Sequence, residues 1–128
     1  MLHIPSDSAQ WHSPPWALRG HRRVTWENDV LFAHLHLVAG DTIPAHSHPW
    51  HALYYVVAGR LRLLADDGWH DTEAGVLLMT PPGVDHGIEA IEDGELVEVQ
   101  SNCPRSFFDG VVAGRTMADL LDRSADRS

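Results

Sequence analysis

The sequence predicts an all-β sandwich or barrel, and two observations carry that expectation. Its apolar residues fall in short runs rich in branched and aromatic side chains, too short for confident helices. Turn signals interrupt those runs at roughly eight- to twelve-residue intervals, a spacing that suits strands joined by tight turns rather than strands alternating with helices. With 128 residues, 44% of them apolar and 21% charged, the chain has the size and composition of one folded domain around one core.

Taken in order, residues 1–22 hold three prolines and two tryptophans without a clean period and read as an irregular N-terminal arm with room for one edge strand. Residues 29–38 are branched and aromatic and end at Gly40-Asp41, which predicts a strand. Further strands are predicted at 52–57, 60–65, 76–79, 86–91 and 95–100. Between them stand Ala58-Gly59, Asp66-Asp67-Gly68, Ala74-Gly75, Pro81-Pro82-Gly83 and Glu92-Asp93-Gly94, each able to supply tight or positive-φ geometry. Only 116–123 reads as helical, with Thr116 as N-cap and Met117, Leu120 and Leu121 on one face. The expected organisation is therefore an arm at 1–22, a barrel domain at 23–110, and a short helix and tail at 111–128.

Composition excludes several function classes. The formal charge of −9, with nine scattered arginines as the only basic residues, disfavours nucleic acid and anionic membrane as partners. No apolar run is long enough to span a bilayer, and residues 1–10 carry Asp7 and no apolar signal core, so a cytoplasmic protein is expected. The lone Cys103 can neither form an internal disulfide nor contribute to a thiolate cluster, and with only Arg105 as a near basic residue it is not expected to be a nucleophile. No glycine-rich turn follows a phosphate-binding spacing, so nucleotide cofactors are not expected.

The unusual feature is ten histidines, since imidazole is the commonest protein ligand for transition metals. His46 and His48, read as residues of one strand, would point to the same face and converge on one ion. His86 follows 38 residues later, introduced by Gly75, Pro81 and Gly83.

These two segments, GDTIPAHSHPWHALYYVVAG (40–59) and GVLLMTPPGVDHGIEA (75–90), resemble the two cupin motifs, G-x5-H-x-H-x3,4-E-x6-G and G-x5-P-x-G-x2-H-x3-N. Every glycine, proline and histidine matches at the expected spacing, and the resemblance covers roughly 30–105. It implies a double-stranded β-helix, that is, a cupin or jelly-roll barrel, with one divalent metal (Zn, Fe, Ni, Mn or Cu) on His46, His48 and His86. Two positions depart from the pattern: the motif glutamate falls on Ala52 and the asparagine on Ala90. His51 adjoins the vacant glutamate position and would replace it if a bulge re-aimed the side chain, whereas strict alternation turns it away. Both readings stay open.

Around that centre, Tyr54 shares parity with Ala52 and should face the barrel interior, as a core residue or a hydrogen-bond partner of substrate. Glu98 is a candidate acid or base, or else a solvated face residue. Trp50 could wall a planar substrate or pack beneath a loop. Asp85 could orient His86 or belong to a turn. His34 and His36 form a second H-x-H facing away from Leu31, Ala33, Leu35 and Leu37, which suits a surface or subunit contact; the alternative places His36 at the mouth of the substrate pocket. The resemblance further implies a small-molecule substrate and a homodimer. Two classes of function follow: an enzyme, either a three-histidine dioxygenase of enolisable, diketone-like compounds or a four-histidine polyketide cyclase or isomerase, and a non-catalytic small-molecule or metal-sensing module.

Overall fold

The computed structural model describes residues 19–114, which form nine strands and one helix. The strands are β1 (His21–Glu27), β2 (Val30–Leu37), β3 (Thr42–His46), β4 (Ala52–Ala58), β5 (Leu61–Ala65), β6 (Gly68–Thr72), β7 (Leu77–Thr80), β8 (His86–Ala90) and β9 (Gly94–Ser101), followed by α1 (Arg105–Val112). They build a five-stranded sheet in the order β1-β2-β9-β4-β7 and a four-stranded sheet in the order β3-β8-β5-β6, every pairing antiparallel. Apart from the hairpins β1–β2 and β5–β6, consecutive strands cross between the sheets, so the chain winds as the expected double-stranded β-helix.

Alternation along each strand makes the core. Leu31, Ala33, Leu35 and Leu37 of β2, Ala52, Tyr54 and Val56 of β4, and Leu61 and Leu63 of β5 all turn inward with Ile43, Ile88, Ala90 and Leu96. The turns are held as the sequence anticipates. Gly59, at φ +80°, closes the β4–β5 connection where a Cβ would stand 2.3 Å from the Asp93 carbonyl oxygen, so only glycine fits. Buried Asp41 accepts backbone N–H bonds from Arg19 (3.1 Å), Gly20 (2.8 Å) and Val38 (2.9 Å), tying the entry of β1 to the end of β2.

Three features depart from the sequence reading. A full strand, β1, begins at His21 inside the stretch read as an arm, and it pairs with β2 along its whole length. β6 follows directly from Asp66-Asp67 and had no apolar signal, because its register with β5 leaves Trp69, His70 and Asp71 exposed. The helix α1 also carried no signal: Pro104 at its N-cap offers no capping side chain, and Gly110 weakens its interior. Its helicity rests on burying Phe107 and Val111, one turn apart, against the barrel. The helix expected at 116–123 lies outside the described residues. No helix among the described residues is long and apolar enough to cross a membrane.

Candidate metal centre

His46, His48 and His86 meet inside the barrel, each with one ligand atom within 4.8 Å of the others. Ring centroids are 4.3 Å apart for His46 and His86, 4.7 Å for His48 and His86, and 5.9 Å for His46 and His48. His48 and His86 are buried, while His46 is half-buried and is where the cluster meets solvent.

The route to this convergence differs from the same-strand argument. β3 ends at His46 and pairs it directly with His86 of β8, whereas His48 lies beyond β3 in the crossover to β4, which belongs to the other sheet. Between Ile43 and His46 the register slips: three steps along β3 oppose two along β8. Ile43 is buried, so unbroken alternation would turn His46 outward; the bulge reverses the parity and aims His46 at the barrel axis. Gly87, beside His86, lets the bulged strand approach, since a Cβ there would press within 3.1–3.3 Å of the Ile43 and Ala45 backbone.

Each imidazole is held from behind by a backbone carbonyl. His46 Nδ1 lies 2.7 Å from the Pro44 oxygen, His48 Nδ1 3.2 Å from that of Trp50, and His86 Nδ1 3.0 Å from that of Val84. A carbonyl only accepts, so each Nδ1 carries the proton and each Nε2 keeps a lone pair. The buried Nε2 atoms of His48 and His86 have no hydrogen-bond partner. Burial, reinforced by the neighbouring imidazoles, pushes His48 down to about 3; desolvation also lowers His46 and His86. The site thus presents neutral, pre-oriented nitrogen donors, which is what ligation of a divalent transition ion demands and what a buried hydrogen-bonded histidine does not show.

Behind the cluster a cavity of about 30 Å³ is lined by His46, Tyr54, Glu98, Gln100, Arg22 and Phe107 among others. Tyr54 is buried with its ring 5.9 Å from that of His86, and its hydroxyl bonds Glu98; burial and the Glu98 charge push that hydroxyl upward. Glu98 therefore faces the interior and is not a solvated surface residue. Arg22, buried on β1 and facing Glu98, had no sequence signal beyond its place between His21 and Arg23. Desolvation lowers its guanidinium to about 10 while the Glu98 charge opposes that fall.

Trp50 stacks on His48 at 4.6 Å and 10°, donates its Nε1–H to Gln100 Oε1 at 2.6 Å, and meets Phe107 edge-on at 5.1 Å. It is a buried support of His48, not an entrance wall. His51 is exposed on the residue before β4 and stands outside the cluster, as alternation from buried Ala52 dictates. His36, placed by one reading in the substrate pocket, lies instead on the outer face of β2, because its neighbours Leu35 and Leu37 take the inner face. Asp85 is exposed, and the Val84 carbonyl orients His86 in its place. Cys103 is buried and pushed up to about 12 by desolvation, which leaves its thiol inert.

Residues 33–106 match the cupin domain family. No curated protein matches the chain. Among solved structures, an RmlC-like cupin from Shewanella frigidimarina NCIMB 400 superposes with a TM-score of 0.74 at 20% identity, covering 81% of this chain and 93% of that one. A predicted oxalate decarboxylase from Thermotoga maritima gives 0.69 at 20% identity, over 78% and 98% of the two chains. The polyketide cyclase RemF from Streptomyces resistomycificus gives 0.66 at 18% identity, over 80% of each. At such identities the likenesses speak for the fold.

Proposed function

The chain belongs to the cupin domain family, and from that premise we propose that it binds one divalent transition metal through Nε2 of His46, His48 and His86 and acts as an enzyme on an oxygenated small organic substrate. One observation carries the reading: three imidazoles whose Nδ1 atoms are committed to carbonyls turn their Nε2 atoms toward one another, and the two fully buried ones have no other partner. Bound there, such an ion supplies Lewis acidity to an oxygen of the substrate.

The chain's own groups suit proton abstraction beside a carbonyl. Glu98 presents its carboxylate in the cavity behind the three imidazoles, which has room for a water that relays the proton of the acidified C–H to it. Tyr54 holds Glu98 through its hydroxyl, and the upward shift of that hydroxyl keeps it a donor. Arg22 balances the carboxylate charge. Trp50 and Phe107 exclude water on the His48 side. Proton abstraction is shared by polyketide cyclisation or isomerisation and by the oxygenative cleavage of enolisable diketones, and RemF shows that this fold accommodates a polyketide cyclase. A homodimer fits the β4–β7 edge of the outer face of the five-stranded sheet, where Tyr55, Leu77 and Met79 stay exposed, Leu77 and Met79 by 65% and 63%. Sedimentation as a monomer at micromolar concentration would count against that pairing.

The test is deuterium exchange at the central carbon of a β-diketone, followed by NMR with the metal-loaded chain and with dioxygen consumption read in parallel. Exchange should depend on metal and fall by roughly 100-fold or more in Glu98→Gln, which keeps its ion. Dioxygen uptake then selects the oxygenase branch and exchange alone the cyclase or isomerase branch. A metal-loaded chain that does neither is a binding module, and the enzyme reading fails.

A further inference from the structure

A second group of metal-ligating side chains stands on the outer face of the five-stranded sheet. His34 and His36 lie two residues apart on β2, so both imidazoles project from its outer face, and β9 pairs Glu95 directly opposite His36. Glu95 Oε1 is 2.7 Å from His36 Nε2 and 3.2 Å from His34 Nε2, and the two rings meet edge-on at 5.1 Å. One ligand atom from each residue lies within 4.8 Å of the other two. His21, paired with His36 across β1, sets its ring 5.4 Å from that of His36 and walls the group on the remaining side.

We propose that His34, His36 and Glu95 form a second divalent metal site, on the outer face of the sheet and separate from the barrel centre. Two imidazoles and one carboxylate oxygen are the donor set of a borderline ion such as zinc, nickel or copper. Bonds of about 2.0–2.1 Å in a tetrahedron put neighbouring ligand atoms roughly 3.3 Å apart, so the two carboxylate–imidazole separations of 2.7 and 3.2 Å need to open by about 0.6 and 0.1 Å. The backbone is already set, because β2 and β9 are interior strands of their sheet and pair in unbroken register from Val30↔Ser101 to Leu37↔Gly94. Side-chain exposures of 17%, 43% and 29% for His34, His36 and Glu95 place the group at the surface of the sheet, although His36 Nε2 itself is buried.

The neighbouring Arg23 makes the proposal sharp. Its Nε–H donates to His34 Nδ1 at 3.2 Å, so that nitrogen is unprotonated and His34 Nε2 carries the proton it gives to Glu95. Ligation through Nε2 moves the proton to Nδ1, where Arg23 already points a donor. Arg23 therefore opposes the ion twice, through its charge and through this bond, and removing it should favour the ion.

Zinc binding to the full chain carrying His86→Ala, followed by calorimetry, isolates this site from the barrel centre. One zinc per chain is expected. Affinity should fall by more than about 100-fold in His36→Ala or Glu95→Gln, beyond the loss caused by a residue that merely orients a ligand, and should rise several-fold in Arg23→Met. Copper(II) in the same chain should show hyperfine splitting from two imidazole nitrogens. If the His86→Ala background does not fold, the parent chain serves: its weaker zinc equivalent should vanish in Glu95→Gln while the tighter one persists. Zinc that binds no more weakly after His36→Ala and Glu95→Gln, or that binds less well after Arg23→Met, overturns the site.

Discussion

The barrel wall separates two histidine pairs of identical spacing, His46-x-His48 within and His34-x-His36 without, and they differ in what occupies their nitrogens. Inside, backbone carbonyls take every Nδ1–H, burial keeps the rings neutral, and the Nε2 atoms of His48 and His86 have no partner. Outside, the Glu95 carboxylate stands 2.7 and 3.2 Å from the two Nε2 atoms and Arg23 occupies one Nδ1. A spacing places imidazoles near each other, and the second nitrogen of each ring decides what the first is free to bind. The interior pair has a third imidazole and no carboxylate; the exterior pair has a carboxylate and solvent.

The largest test of that contrast removes an interior ligand. His86→Ala should lower affinity for the tightly held ion by at least about 100-fold, measured as metal content after dialysis, because its loss removes a donor and not merely an orienting group. His36→Ala should leave that content unchanged. An equal loss in both variants would erase the distinction between inside and outside.

Acid should act on the interior group of the metal-free chain. Histidines of the unfolded chain titrate near 6.5, whereas folded His48 is lowered to about 3 and His46 and His86 are lowered as well. Between those values the unfolded state takes up protons that the native state refuses. Stability is therefore complete above about pH 6.5 and declines as pH falls toward 3, by roughly 1.4 kcal/mol per pH unit for each imidazole that stays neutral. Urea unfolding at pH 7, 6, 5 and 4 reads the slope, and His48→Asn should flatten it. A stability that holds level down to pH 4 would mean that these rings are not desolvated.

The smallest expected effect belongs to His51. Its side chain is exposed and apart from the three Nε2 atoms, so His51→Ala should change metal affinity by no more than about twofold, the range of an ordinary surface substitution. A loss comparable to that of His86→Ala would place it in the ligand set and make the centre a four-histidine one.

Much of this was legible in the chain itself. Alternating apolar runs marked β2, β4, β5, β7, β8 and β9 to within a residue or two, because period-two burial and glycine turns are local properties. His46, His48 and His86 were legible through their motif spacing, and the inert Cys103 through its lack of a basic or histidine partner. Other features left no local trace. The sequence of α1 has weak helical propensity, and its helix exists because Phe107 and Val111 find a buried surface to cover. Glu98 and Arg22 are ordinary charged residues of alternating strands until the sheet register turns both toward one cavity.

By itself, then, the sequence determined six of the nine strands, most of the turns and the identity of three converging imidazoles. Tertiary structure alone decided that β3 and β4 part into different sheets, that a bulge turns His46 inward, that His48 joins from a crossover, and that Glu95 stands opposite His36. The reason is that periodicity is written within a strand, whereas the pairing partner and the one-residue slip that reverses a side chain's direction are set by packing between segments distant in the chain.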